Sequence, residues 1–236
     1  AAAIACCAFT FLLGGGPIEM LLAFIAAGIG NLIRTKLIKH HFTLFLNISV
    51  SISASCFVYA VCLKILEIAF HVPSVHEAGY ICSMLFIIPG FPFITSGIDL
   101  AKLDLRSGLE RLSYAIIIVL VATMFAWIMA LLLSLRPLDF TDLNLDPILY
   151  LILRLIASFF GVFGFSIMFN SSTPMAATAA LIGAIANTLR LELVDLTSMP
   201  APAAAFAGAL MAGLLASIIK KNNGYPRISL TVPSIV

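Results

Sequence analysis

Apolar residues run along the chain in long blocks separated by short polar stretches. A helix needs about 20 apolar residues to cross the hydrocarbon core of a bilayer. Blocks of that kind lie at 17–34, 43–68, 76–98, 109–135, 147–169, 174–191 and 201–219. A shorter block at 1–13 reads as a clipped first helix, and another starts near 228. Pro17, Pro147 and Pro174 open three of the blocks, where a missing amide costs a helix little. The block at 76–98 is interrupted by Pro89-Gly90-Phe91-Pro92. No polar stretch is long enough for a soluble domain. The pattern predicts an all-α, polytopic integral membrane protein with about nine of ten helices represented.

Sliding the chain on itself by 156 residues lays 8–34 over 164–190. Phe9, Ala23, Ile29, Asn31 and Arg34 then meet Phe165, Ala179, Ile185, Asn187 and Arg190. Just beyond, the charge flips: Lys36 meets Glu192 and Lys39 meets Asp195. The repeating unit holds five helices, and an odd number turns each copy over in the membrane. The sign change fits that inversion, because basic loops stay in the cytoplasm. We therefore expect two inverted five-helix modules, 1–135 and 147–236, the second truncated. Inverted repeats are an architecture of secondary transporters.

Composition agrees with a lipid-facing chain. Hydrophobic types make up 62% of the 236 residues and charged types 10%, with a mean hydropathy of +1.14. Soluble domains are about 25% charged, so a disordered chain and an ordinary soluble enzyme are both excluded. A net charge of +2 gives no reason to expect nucleic acid. The basic residues sort by side. Arg34, Lys36 and Lys39, then Lys102, Arg106 and Arg111, then Lys220, Lys221 and Arg227 mark cytoplasmic loops. Helix one then starts inside, and the 70–77 and 136–146 loops face out. The expected location is the inner or plasma membrane, multi-pass. Cys6, Cys7, Cys56, Cys62 and Cys82 lie in apolar runs and read as small packing residues. His76-Glu77 lacks the second histidine of a zinc HExxH motif, and no nucleophile elbow or phosphate loop occurs. We expect no enzyme, no metal and no cofactor.

The candidate chemistry is sparse and therefore conspicuous. The prolines and glycine of the break at Pro89, Gly90 and Pro92 loosen a helix, and broken helices form substrate sites in many transporters. Thr95 lies just beyond. Asn31 and Asn187 each head a face of small residues, Ala23 and Ala27 in one copy and Ala179 and Gly183 in the other. Each amide is a candidate for substrate contact or for bridging helices. Arg154, seven residues into its run, is either a substrate contact or a snorkelling side chain. Asp99 and Glu19 are candidate proton carriers, since a buried carboxylate holds its proton more tightly. Asn47, Ser51 and Ser55 at spacing four could line a polar path or pack, and Lys64 and Glu67 are placed to pair. Ala204, Gly208, Ala212 and Ala216 form a close-packing seam.

These residues together resemble the threonine/serine exporter family of bacteria and fungi. The first half carries the resemblance in Gly14-Gly15-Gly16-Pro17, in Ile88-Pro89-Gly90-Phe91-Pro92, in Asp99-Leu100 and in the run Asp104 to Arg111. The second half carries it in 165–170, in Ala186-Asn187 and in Tyr225-Pro226 leading to 232–236. The chain departs from the family pattern at both ends, where an N-terminal cytoplasmic region and a second proline-glycine element are not seen. The resemblance implies a ten-helix exporter of small hydroxy amino acids driven by the proton-motive force, with an amino acid, protons and membrane lipid as partners. Some members resemble C4-dicarboxylate exporters, for which Arg154, Arg111 and Arg34 would supply cations. A membrane scaffold subunit without transport is the third reading, and assembly into a homo-oligomer is left open.

Overall fold

Local chemistry sets where each helix begins and ends. The computed structural model describes residues 1–70, 74–136, 140, 143, 145–197 and 199–235. Its helices are α1 (Ala2–Leu12), α2 (Pro17–Lys39), α3 (Leu44–Phe70), α4 (Gly79–Cys82), α5 (Gly90–Ala101), α6 (Leu105–Leu133), α7 (Pro147–Met168), α8 (Thr173–Thr197), α9 (Ala201–Asn223) and α10 (Arg227–Ile235). No strand occurs among the described residues. Proline stands in the first turn of α2, α7 and α9, where its missing amide would have had no partner. Helix α6 begins earlier than the apolar pattern suggests. The Asp104 carboxylate accepts a bond from the Ser107 amide at 3.3 Å, so the polar run from Leu105 to Arg111 is helix rather than loop.

Helices α2, α3, α6, α7, α8 and α9 are long and apolar enough to cross a membrane, and the protein is a multi-pass membrane protein. The block at 76–98 is not one helix broken in its middle. It is a 3₁₀ turn at Ser74–Ala78, the single turn α4, a second 3₁₀ turn at Leu85–Ile87, and then α5, bent by 55° from the stretch before it. Counted with its bend, this segment makes a seventh span. The interruption lies at Ile88–Pro89, and Gly90, Phe91 and Pro92 form the first turn of α5.

The turns after α1 and α7 share one geometry at an offset of 156 residues. Leu13, Gly14 and Gly15 donate to the carbonyls of Phe9, Phe11 and Thr10. Phe169, Asn170 and Ser171 donate to those of Phe165, Ile167 and Ser166. The residue past each helix is left-handed, Gly14 at φ +101° and Asn170 at φ +61°, conformations suited to glycine and asparagine.

Helix α1 packs between α2 and α7; α7 packs on α8, α8 on α9 and α10, α2 on α3, and α6 on α3 and α5. Small residues make these approaches close. A Cβ built at Gly161 would lie 2.7 Å from the Phe9 ring and 3.5 Å from the Ala8 Cβ. At Gly164 it would lie 2.8 Å from the Ala1 carbonyl and 2.9 Å from the Ala5 Cβ. As α7 advances, its neighbours retreat along α1, so the two helices are antiparallel. Phe9 and Phe165 meet edge to face at 5.2 Å. On α9, Ala204, Gly208, Ala212 and Ala216 are all buried, as a packing seam requires. The cysteines are free: Cys6, Cys56 and Cys82 are buried, and Cys7 and Cys62 partly so. Large apolar side chains such as Leu32, Trp127, Leu132 and Phe206 point outward.

The α7–α8 approach is testable. A Cβ at Gly183 would sit 2.5 Å from Val162 Cγ2. Gly183→Ala should lower stability by about 1–3 kcal/mol through overpacking. Adding Val162→Ala should recover part of the loss, because the two sites share one contact. Thermal unfolding of the purified protein in detergent reads both effects.

Candidate functional site

The interruption before α5 is held from two sides. Arg34 of α2 donates to the Phe86 carbonyl at 2.8 Å. Gly30, one turn earlier, lets the Phe86 ring lie against the helix: a Cβ there would be 2.9 Å from the ring. On the α3 side, Ser55 donates to the Ser83 carbonyl at 2.9 Å. Ser51 bonds Asn47 at 3.4 Å, so the buried hydroxyls of α3 are spent on packing contacts rather than exposed to a path.

The prolines leave fewer loose ends than their sequence suggests. The Pro89 carbonyl accepts from the Phe93 amide at 3.1 Å and the Ile88 carbonyl from the Gly90 amide at 2.9 Å. Pro92 falls in the first turn of α5, where an amide has no helical partner. Thr95 donates to the Phe91 and Pro92 carbonyls at 2.9 and 3.2 Å, leaving its lone pairs free as acceptors.

Cavities lie on both sides of the interruption. One of about 400 Å³ carries Pro89, Tyr80, Met84, Thr123 and Trp127 in its walls and is mostly apolar. The other, about 410 Å³, is lined by Phe91, Pro92, Thr95, Glu110, Arg111 and Tyr114. Asp99 stands one turn beyond Thr95 on α5, and its Oδ2 lies 3.0 Å from Arg111 Nη1 of α6. Gly108 permits this close α5–α6 hairpin, since a Cβ there would be 2.7 Å from Leu100. The second cavity thus brings the hydroxyls of Thr95 and Tyr114, one guanidinium and the Glu110 carboxylate together, with Asp99 behind the guanidinium. Phe91 meets Phe169, at the end of α7, at 5.5 Å.

A second charged centre lies at the other end of α2. Glu19 is 1% exposed, and its Oε1 is 2.6 Å from His76 Nδ1. Its Oε2 has no hydrogen-bond partner among the described residues. Tyr59 donates to the His76 carbonyl at 2.6 Å. Gly79 fits where a Cβ would strike the Tyr59 hydroxyl. Sequence reasoning singled out Glu19 and treated His76 as a loop residue. The signal was a histidine in the 70–77 loop, expected on the same side as Glu19, and no spacing rule links 19 to 76.

The third centre holds Arg154. Its guanidinium bonds Glu192 at 2.8 Å and Asp195 at 2.5 Å, and it covers the Tyr150 ring at 4.1 Å. Asn187 and Asn31 differ despite their matched positions. Asn187 donates to Ser158 at 2.9 Å and accepts from Arg190 at 3.0 Å. The position matching Ser158 is Ala2, which offers Asn31 no hydroxyl. Among the described residues no hydrogen bond joins Asn31 to Asn187 or either to Thr95, and Lys64 and Glu67 form no ion pair.

Comparison with known proteins gives one family. Residues 1–134 match the family model of the threonine/serine exporters, ThrE, and residues 154–236 match a second model, ThrE_2, also described as a threonine/serine exporter. No curated protein and no solved structure matches the chain.

The Arg154 centre carries a stability prediction. Removing one partner of a buried ion pair costs about 3–5 kcal/mol, because the remaining charges stay buried. Arg154→Met should therefore lower the melting temperature sharply, with Asp195→Asn much milder because that carboxylate is half exposed. Melting curves in detergent for the two variants check the order.

Proposed function

The chain belongs to the threonine/serine exporter family, and on that premise we propose a secondary transporter of the inner or plasma membrane that exports small hydroxy amino acids, driven by the proton-motive force. The observation that carries the proposal is the cavity beside Pro92. A free amino acid presents an ammonium, a carboxylate and, in threonine and serine, a hydroxyl. Arg111 offers the fork geometry that a carboxylate prefers. Glu110 offers negative charge to an ammonium, Thr95 offers an acceptor to a hydroxyl, and Asp99 holds Arg111 from behind. Pro89 and Gly90 set the bend that opens this end of α5. Asp99 and Glu19 are the proton carriers of the proposal, and Asn31 and Asn187 are matched polar positions beside the moving helices.

We further read residues 1–135 and 147–236 as inverted copies. The support is the shared turn after α1 and α7, the antiparallel approach of those two helices, and the reciprocal contacts of Ala5 and Ala8 with Gly164 and Gly161, which match 8 and 5 in the repeat. Inverted copies around a bent helix suit alternating access. The dicarboxylate reading has less support. Arg154 is committed to Glu192 and Asp195, and Arg111 stands beside two carboxylates that would repel a dianion.

Counterflow of labelled threonine into proteoliposomes tests the proposal. Flux competed by serine is expected, and Thr95→Val should slow it about tenfold, the effect of one lost hydrogen bond of about 1.4 kcal/mol. Succinate flux without threonine flux would move the substrate to dicarboxylates. No flux of either would leave the scaffold reading.

A further inference from the structure

Glu19 presents an electrostatic problem that the fold solves only in part. A carboxylate that is 1% exposed must be paired or neutralised. His76 satisfies Oε1, while Oε2 faces the Gly16 backbone, 3.0 Å from where a Cβ would be, with no donor among the described residues. The missing partner is not built as a metal site. A hard cation needs several oxygens, usually with more than one carboxylate among them. No group of metal-ligating side chains occurs among the described residues. The remaining small cation is a proton.

We propose that Glu19 and His76 form one proton-loading site on the outer side, and that its loading loosens the segment leading into α5. The inference rests on the proton-coupled reading above. In the unloaded state Nδ1–H of His76 donates to the ionised Glu19. The ring keeps 15% of its surface exposed, and its Nε2 has no hydrogen-bond partner among the described residues. A proton from the outer solution adds to Nε2, and the Nδ1 proton passes to Oε1. The products are a neutral carboxylic acid and a neutral imidazole protonated on Nε2, so one proton has entered and the buried negative charge is gone. The charge-assisted contact becomes an ordinary one, about half as strong. That contact ties α2 to the 3₁₀ turn at Ser74–Ala78, which continues through α4 to the interruption.

Other titratable groups nearby do not do the same work. Tyr59 of α3 is bound to a carbonyl, Cys82 of α4 and Cys6 of α1 are buried thiols, and Glu77 accepts from the Arg136 amide at 2.8 Å. His76 links the buried carboxylate to the surface.

Infrared spectroscopy of the full chain in detergent tests the site without requiring transport. The carbonyl stretch of a protonated carboxyl should appear on lowering the pH and be missing in Glu19→Gln. In His76→Asn the pH at which the band appears should differ from that of the parent protein, because the ionised form loses its imidazole donor. Glu19→Asp, which keeps a carboxyl, should retain a shifted band if Glu19→Gln does not fold. Glu77→Gln should leave the band in place. In proteoliposomes the external-pH midpoint of gradient-driven flux should move with the band in His76→Asn. A band unaffected by Glu19→Gln, or a midpoint unmoved by His76→Asn, overturns the proposal. A band that titrates as expected in a protein that moves no amino acid sustains the proton site and removes the substrate reading instead.

Discussion

Helices surrounded by lipid gain little from burying apolar surface against one another, so contact depends on how closely their backbones approach. Everything in this fold follows from that constraint. The inner helix α1 is eleven residues long and is flanked by α2 and α7. It can occupy that place because Ala2, Ala5 and Ala8 face inward and because α7 offers Gly161 and Gly164 opposite them. The same device recurs outward: Gly183 admits Val162, and Gly208 comes within a Cβ's reach of the Ala186 carbonyl. The bulky residues face the lipid, where they cost nothing.

Close packing leaves little room for polar groups: mid-helix ones such as Ser55, Ser158 and Asn187 are spent on short local hydrogen bonds, and the ion pairs lie toward helix ends. The ends that loop charges assign to the same side do meet: Glu19 with His76, and Arg154 with Glu192 and Asp195 on the outer side, Asp99 with Arg111 on the inner side. Between them the bent span is fixed by Arg34 and by the missing side chain of Gly30. Arg34 and Arg190 occupy matched positions and have different partners, a backbone carbonyl and a neighbouring asparagine.

The spans were legible because lipid forces a continuous apolar run of fixed length, and that signal survives without alignment. The turn after α1 was legible as a glycine run, and its match at Asn170 and Ser171 was not, since asparagine reaches a left-handed conformation with no glycine to mark it. The 76–98 block was legible as a run broken at 89–92, but the 3₁₀ turns that make up much of its first part were not. Its apolar residues carry no period that distinguishes a 3₁₀ turn from an α-helix over a few residues, and the decisive cause is tertiary: Gly79 under Tyr59 and Phe86 under Gly30. The start of α6 was missed because a polar first turn looks like loop until the Asp104 cap is recognised. Glu19 could be singled out as a charge in an apolar setting, but its partner lies 57 residues away, on a turn whose position only the fold determines.

The distribution of polar contacts also bears on how such a molecule could move. Among the described residues, no side-chain hydrogen bond or ion pair joins 1–134 to 154–236; each one stays within its own half. What crosses is apolar: the alanines and glycines of α1 and α7, Phe9 on Phe165 and Phe91 on Phe169. Sliding smooth, small-residue surfaces past one another exchanges similar dispersion contacts, whereas breaking a buried ion pair in lipid costs several kcal/mol. A hinge between α2 and the interruption would part Arg34 from Phe86, and one between α7 and α8 would part Arg154 from its two acids. The polar ties thus hold elements within each half, and the α1–α7 seam between them is held by apolar contacts. The Glu19–His76 contact differs from the others in its place: it ties α2 to the turn that leads into the bent span rather than bearing on the seam.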